Sequence, residues 1–201
     1  DDCVVDKNWL QNIYKIFQKD KKIVGIFGRT LPYQPQKHKG LTCPCTFDHK
    51  IARHITKPCK HWEEIGFGNN MAWRKSFFDK YGKFKEWLGP GSIGNGAEDA
   101  EIALRALINK QTIFFNPKML VKHDKWLTRE AMHKQELSYA CGEIACYGYL
   151  AKKNIDIGKK ILKNNLINNY NQLIHLNKLT DLKEFLKKIY FQIKGFLIGF
   201  F

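Results

Sequence analysis

The feature that most constrains the fold is a change of pattern near residue 125. Before it, short β-branched runs alternate with helix-like stretches; from Thr128 the chain reads as helical nearly to its end. Mixed strands and helices followed by helices alone imply an α/β layer, residues 1–125, with a helical C-terminal extension, residues 126–201. At 201 residues and 44% apolar content the chain can bury one sizeable core, and a second compact domain would be cramped.

The individual elements follow from local spacing. Asn8 to Gln18 puts Leu10, Ile13, Ile16 and Phe17 on one face of a helix, and Lys22 to Arg29 is a short glycine-punctuated strand. Residues 31–64 are proline- and histidine-rich without clean periodicity, a long irregular excursion of the kind that is usually functional or disordered. Asn70 to Arg74 reads as a strand and Lys75 to Tyr81 as a helix stopped by Gly82. Glu98 to Asn109 is an amphipathic helix carrying Ile102, Leu104, Ala106 and Leu107 in its apolar surface. Thr112 to Phe115 is expected to be a strand ended by Asn116-Pro117, and Met119 to Lys122 a separate strand before His123. In the helical extension, Gly142, Gly148 and Gly158 are expected to act as interruptions. No internal repeat is visible.

The net charge of +15 suits phosphate-rich partners: nucleic acid, anionic lipid or a nucleotide-diphosphate substrate. A solvated basic surface explains the same number. No recognised nucleic-acid motif accompanies it, so nucleic acid is not expected as a partner.

Chemistry points first to Glu98-Asp99. Acids at a helix start complement its dipole and cap free N–H groups, which is their plain structural use. Here they follow Gly89-Pro90-Gly91-Ser92-Ile93-Gly94-Asn95-Gly96, a loop that lets backbone approach a ligand, and a carboxylate at such a junction is well placed as a general base. Gly89, Gly91 and Gly94 match a dinucleotide-binding pattern, but that motif requires a preceding strand, and Phe84 to Leu88 reads as a turn or short helix. Gly66-Phe67-Gly68-Asn69-Asn70-Met71-Ala72-Trp73-Arg74 is a glycine–asparagine turn running into a strand.

Taken in order, Asp-Asp-Cys-Val-Val with Asn-Trp-Leu, Val-Gly-Ile-Phe-Gly-Arg, Gly-Phe-Gly-Asn-Asn-Met-Ala-Trp-Arg, Tyr-Gly-Lys-Phe, Gly-Ala-Glu-Asp-Ala-Glu-Ile-Ala-Leu-Arg, Phe-Phe-Asn-Pro and Val-Lys-His resemble family 2 glycosyltransferases of the GT-A fold. The resemblance covers residues 1 to about 125, the acceptor-side half of that catalytic domain. It implies that Asp99 is the catalytic base, with Glu98 orienting it or binding acceptor. It implies further that Gly68, Asn69, Asn70, Arg74, Trp87 and Gly96 contact substrate. Asp2 aligns with the last acid of the family's Asp-X-Asp metal element, and His123 is implied as a further ligand of Mn²⁺ or Mg²⁺. The implied reaction is sugar transfer, with inversion, from a nucleotide-sugar donor to a saccharide or lipid-linked acceptor. The opening Asp-Asp-Cys-Val-Val reads as a strand end entered from upstream, so the nucleotide-binding half is expected to precede Asp1, and this fragment alone is expected to be inactive.

Two further readings concern the cysteines and the tail. Cys43, Cys45 and Cys59, with His49, His54 and His61, contain enough soft ligands for zinc, although the spacing is not that of a standard finger; reduced, partly buried thiols are the other reading. Six cysteines are too few for a disulfide scaffold and favour a reducing compartment, so a cytoplasmic protein, peripheral at the inner face of the membrane, is expected. Leu182, Phe185, Leu186, Ile189, Tyr190, Ile193, Leu197 and Phe200 form an apolar stripe with Lys183, Lys187, Lys188 and Lys194 off it, which suits either a membrane interface or packing on the protein. The rival to catalysis is a basic membrane- or nucleic-acid-binding module. It leaves the Asp-Asp and Glu-Asp carboxylates unexplained.

Overall fold

The computed structural model describes residues 2–58, 64–176 and 179–201. Its contacts gather the chain into two compact units, Asp1–Lys83 with Asp99–Met132, and Phe84–Glu98 with His133–Phe201. The expectation of a single core therefore gives way to two, because the C-terminal helices bury their apolar faces among themselves, as described below.

The first unit is a mixed five-stranded sheet. Its strands are β1 (Cys3–Val5), β2 (Ile23–Pro32), β3 (Arg53–Ile55), β4 (Met71–Trp73) and β5 (Thr112–His123), in the order β1-β5-β2-β4 with β3 also on β5. β1 pairs antiparallel with the end of β5, Cys3 opposite His123, and β3 pairs antiparallel with its beginning, Ile55 opposite Ile113. β2 and β5 run parallel, and β4 is antiparallel to β2. A parallel pair needs a crossover; the chain between β2 and β5 supplies it with α2 (Lys75–Tyr81) and α3 (Glu98–Ile108).

Alternation along the strands sends side chains to two faces. On one, Val24, Phe27, Ile113 and Phe115 pack with Phe77 of α2 and with Ile102, Ala103, Ala106 and Leu107 of α3. On the other, Ile23, Ile26 and Met119 meet Ile13 of α1 (Trp9–Lys19), with Trp9, Ile16 and Phe17 partly buried beside them. Leu10 does not join them. It is 70% exposed, so the buried stripe of α1 is rotated from the one the spacing implied.

Asn116-Pro117 does not end a strand. β5 continues through it as one strand of 12 residues, and the pairing to β2 jumps from Gly28↔Asn116 to Arg29↔Leu120. The looped-out residues form a bulge whose polar groups are satisfied by asparagines. Asn70 Nδ2 donates to the carbonyls of Met119 and Arg29, both at 2.8 Å, and Asn12 Nδ2 donates to the carbonyl of Lys118 at 2.9 Å. Gly28 is required beside this plug, since a Cβ there would lie 2.2 Å from the Met119 carbonyl oxygen and 2.5 Å from Asn70 Nδ2. Gly28→Ala is expected to cost about 1–3 kcal/mol, as overpacking does, read as a lowered urea midpoint; an unchanged midpoint would show that the bulge yields freely.

The second unit contains the loop Phe84–Glu98 and three helices, α4 (Arg129–Lys152), α5 (Asp156–Ile174) and α6 (Leu179–Phe200). Gly142 and Gly148 lie inside α4 and Gly158 inside α5, so none interrupts a helix. The break falls at Asn154, whose φ of 61° reverses the chain. The glycines are contact points instead. A Cβ on Gly142 would meet the Gly96 carbonyl at 2.7 Å, and one on Gly158 would meet the Ala151 nitrogen at 2.7 Å. Gly195 and Gly199 bring α6 onto the α4 backbone, where added Cβ atoms would stand 2.1 Å from the Cys141 oxygen and 1.9 Å from the Ala145 oxygen. The apolar stripe of the tail accordingly divides. Phe185 is buried, whereas Leu186, Tyr190, Ile193 and Leu197 remain exposed. None of the helices among the described residues is long and apolar enough to cross a membrane.

Candidate active site

Two acidic positions are held in the first unit, at different places on the sheet. At the end of β5 the antiparallel pairing with β1 sets Asp2 and Cys3 beside His123, residues separated by most of the sheet in sequence. The Asp2 carboxylate lies 3.4 Å from His123 Nε2, and the Cys3 thiol donates to Asp2 Oδ1 at 3.5 Å. Potential ligand atoms of Asp2, Cys3 and His123 all lie within 4.8 Å of one another. His123 is buried, and its Nδ1 sits 2.9 Å from the carbonyl of Pro44, to which it donates. That bond leaves Nε2 facing Asp2: a protonated ring donates to the carboxylate there, whereas a neutral one would offer the lone pair that a metal takes.

The electrostatics of this corner are mutual. Partial burial pushes the Asp2 carboxyl up, but the Cys3 hydrogen bond and the neighbouring His123 outweigh it and hold the group below its usual range. Burial, with Asp2 next to it, pushes the Cys3 thiol up to about 11. With the ring neutral, one carboxylate oxygen and one imidazole nitrogen would fit a divalent cation in place of the direct contact between them, and the nitrogen favours Mn²⁺ over the oxygen-seeking Mg²⁺.

Asp99 opens α3 and is almost fully buried, with 9% exposure. Its Oδ2 accepts the Gly68 N–H at 2.7 Å and its Oδ1 accepts the Ala100 N–H at 2.8 Å. Burial raises its pKa, and the two backbone N–H groups oppose that rise without reversing it. The group therefore keeps an oriented carboxylate with a proton affinity above that of an exposed aspartate, which is what a general base needs. A Cβ on Gly68 would stand 3.0 Å from Asp99 Oδ2, so a larger residue there would press on the carboxylate by a few tenths of an ångström.

The neighbouring asparagines hold the turn. Asn69 accepts from Thr30 Oγ1 at 3.2 Å and donates to the Cys45 carbonyl at 3.1 Å. Asn70 is buried, filling the β5 bulge and accepting from Trp9 Nε1 at 2.9 Å. Arg74, beyond β4, donates to the Ile23 carbonyl at 2.7 Å and the Asp20 carbonyl at 3.1 Å, and stacks on Phe17. Its hydrogen bonds tie the end of α1 to the start of β2. Glu98, Trp87 and Gly96 belong to the second unit. There Trp87 packs edge-on against Tyr149, its carbonyl accepts the Gly94 N–H at 2.8 Å, and Gly96 sits against Tyr139 and Gly142. No strand precedes this loop, as the rejection of a dinucleotide motif requires.

Among the described residues, the cysteine–histidine stretch makes no metal-ligand group of its own. Cys43 is buried with its Sγ 3.4 Å from the His123 carbonyl oxygen, His49 lies against Arg53 at 2.6 Å, and His54 faces Asp20 at 3.6 Å. Cys59 and His61 lie outside the described residues. The sequence reading missed Cys3 as a third group beside Asp2, and Pro44 as the orienter of His123. Adjacency to Asp2 could have flagged Cys3, whereas no spacing links Pro44 to a histidine 79 residues later.

Comparison with protein-family models, with curated proteins and with solved structures gave no match in any of the three.

Proposed function

We propose that the chain is part of an inverting glycosyltransferase of the GT-A type, with Asp99 as general base and Asp2 and His123 holding a divalent metal. The observation that supports this reading most is the convergence of Asp2 with Nε2 of His123, whose ring the Pro44 carbonyl orients. On this reading the acceptor is a saccharide or lipid-linked saccharide.

A cation bound by Asp2 and His123 supplies charge neutralisation for a diphosphate leaving group. Asp99 takes the proton of an acceptor hydroxyl as that oxygen bonds to the anomeric carbon and the bond to the diphosphate breaks on the opposite face. The configuration inverts. The Gly68 and Ala100 N–H groups keep the Asp99 carboxylate fixed while its remaining lone pairs receive the proton.

The metal part is tested on the chain itself. Titrating it with Mn²⁺, followed by electron paramagnetic resonance, should show a site that Asp2→Ala and His123→Ala each weaken by tenfold or more, on the scale of losing a ligand or its orienting partner (about 10–100-fold). Equal affinity in all three proteins would remove the pair from the mechanism. The transfer itself is tested by incubating the protein with a panel of nucleotide sugars and measuring nucleotide release. Absence of release with every donor, or a product of retained configuration, would sink the reading.

A further inference from the structure

The helices α5 and α6 carry an apolar surface that the transfer reading does not use. Asn169 Nδ2 donates to Gln192 Oε1 at 2.7 Å, and Lys188 Nζ donates to Gln172 Oε1 at 2.9 Å. These two bonds fix an antiparallel register in which Leu173, Tyr170 and Leu166 of α5 run alongside Leu186, Tyr190 and Ile193 of α6. All six are exposed, between 46% and 70%. Exposed apolar side chains scattered singly are ordinary, but two aligned rows make a contiguous patch, which marks an interaction surface.

Between the rows lies an open groove of about 340 Å³, lined by Ile144 of α4, Leu162 and Leu166 of α5, and Ile189, Ile193 and Phe196 of α6. Its polar floor is Asn165, Asn169 and Gln192. Asn169 is 8% exposed, and while its Nδ2 donates to both Asn165 and Gln192, its Oδ1 has no partner. Turning all three amides about would only exchange the orphan oxygen for an orphan N–H. The groove is thus a small-ligand-sized space with an unmet polar group at its floor.

Charge selects the occupant. On α6 the row Leu186, Tyr190, Ile193 and Leu197 is bordered along one side by Lys183, Lys187 and Lys194, while the acids Asp181 and Glu184 fall on the far side of the helix. Glu184 is held there by His133 and Lys187, the latter at 2.7 Å. The first half of α5 adds Lys159, Lys160 and Lys163. An apolar face edged with lysines is the pattern of a helix lying in a lipid–water interface, where the lysines meet anionic headgroups.

We propose that the α5–α6 face docks on an anionic bilayer. The docking is independent of whether the chain transfers sugars. Flotation with phosphatidylcholine vesicles containing phosphatidylglycerol should carry the 201-residue chain, and vesicles of phosphatidylcholine alone should not. Lys183→Gln, Lys187→Gln and Lys194→Gln together should weaken binding about a hundredfold, at roughly fivefold per lysine near the surface. Leu186→Ser with Tyr190→Ser should abolish it, and circular dichroism should show helical content kept, since both residues are exposed. A Leu166→Trp variant at the groove mouth should be quenched by phosphatidylglycerol brominated in its acyl chains. Failure of the intact chain to float, or floating unaffected by the lysine changes, overturns the docking. Binding without quenching leaves Leu166 outside the bilayer and overturns the α5 half of the docking face. Concentration-dependent self-association that the Leu186→Ser, Tyr190→Ser pair disperses, without vesicle binding, assigns the face to a second copy and likewise overturns the proposal.

Discussion

On the transfer reading proposed above, Asp99→Asn is expected to lower kcat by about 100-fold or more, because a positioned general base contributes on the order of 10²–10⁴. Asparagine keeps the size of the side chain and can still accept the Gly68 N–H, so donor affinity should change little; what is lost is the group that receives the proton. The pH profile gives an independent reading. Burial raises the Asp99 pKa, and a base works only when ionised. Activity should therefore fall as pH is lowered through that raised value, at a pH above the ordinary range of an aspartate, and Asp99→Asn should remove this acid limb along with the rate. A near-normal rate in Asp99→Asn, measured with saturating donor, would reject Asp99 as the base. A limb unchanged by the substitution would assign the titration to another group.

The second large effect falls on the helix that carries Asp99. Arg105 grips Glu101 one turn earlier on α3, with Nε to Oε1 at 3.1 Å and a second bond from the other guanidinium nitrogen, and it donates to the Tyr81 carbonyl at 2.9 Å at the end of α2. The Glu101 side chain is only 2% exposed. Arg105→Met leaves that carboxylate buried without its partner and is expected to cost about 3–5 kcal/mol, the usual penalty for breaking a buried pair from one side. Glu101→Leu with Arg105→Met should recover much of the loss, since replacing both members by apolar groups is often close to neutral. Urea unfolding of the four proteins forms the double-mutant cycle. A single mutant as stable as the parent would mean that water reaches Glu101. The pair bears on function through position, because the same guanidinium that neutralises Glu101 ties α3 to the end of α2 and so fixes where Asp99 meets Gly68.

Local chemistry made much of the first unit legible. Lys75–Tyr81 was read to the residue, since a helix stopped by a glycine at φ 87° is specified by its own few residues. The α3 helix and the strand at Ile23–Pro32 were visible for the same reason, although the strand runs three residues past Arg29, where pairing with β5 continues it. Asn116-Pro117 misled because proline ordinarily ends a strand; only Asn70 and Asn12, arriving from other elements, make a bulge there affordable.

The sequence by itself determined which segments are helical or extended and which candidate groups stand along them: the Glu98-Asp99 junction, the Gly68-Asn69-Asn70 turn, Asp2, His123 and the lysine-edged stripe are all local patterns. Tertiary structure alone decided what those groups meet. β1–β5 pairing set Asp2 against His123, the Pro44 carbonyl chose the ring nitrogen that faces it, and burial, opposed by the Gly68 N–H, moved the Asp99 pKa upward. It also split the tail stripe, because Gly195 and Gly199 admit α4 so closely that one side of α6 is covered and the other left to solvent. The physical reason is the same throughout. Periodicity and capping depend on neighbours within a turn or two, whereas ligand geometry, desolvation and close backbone contact depend on atoms that the chain brings together from far along its length.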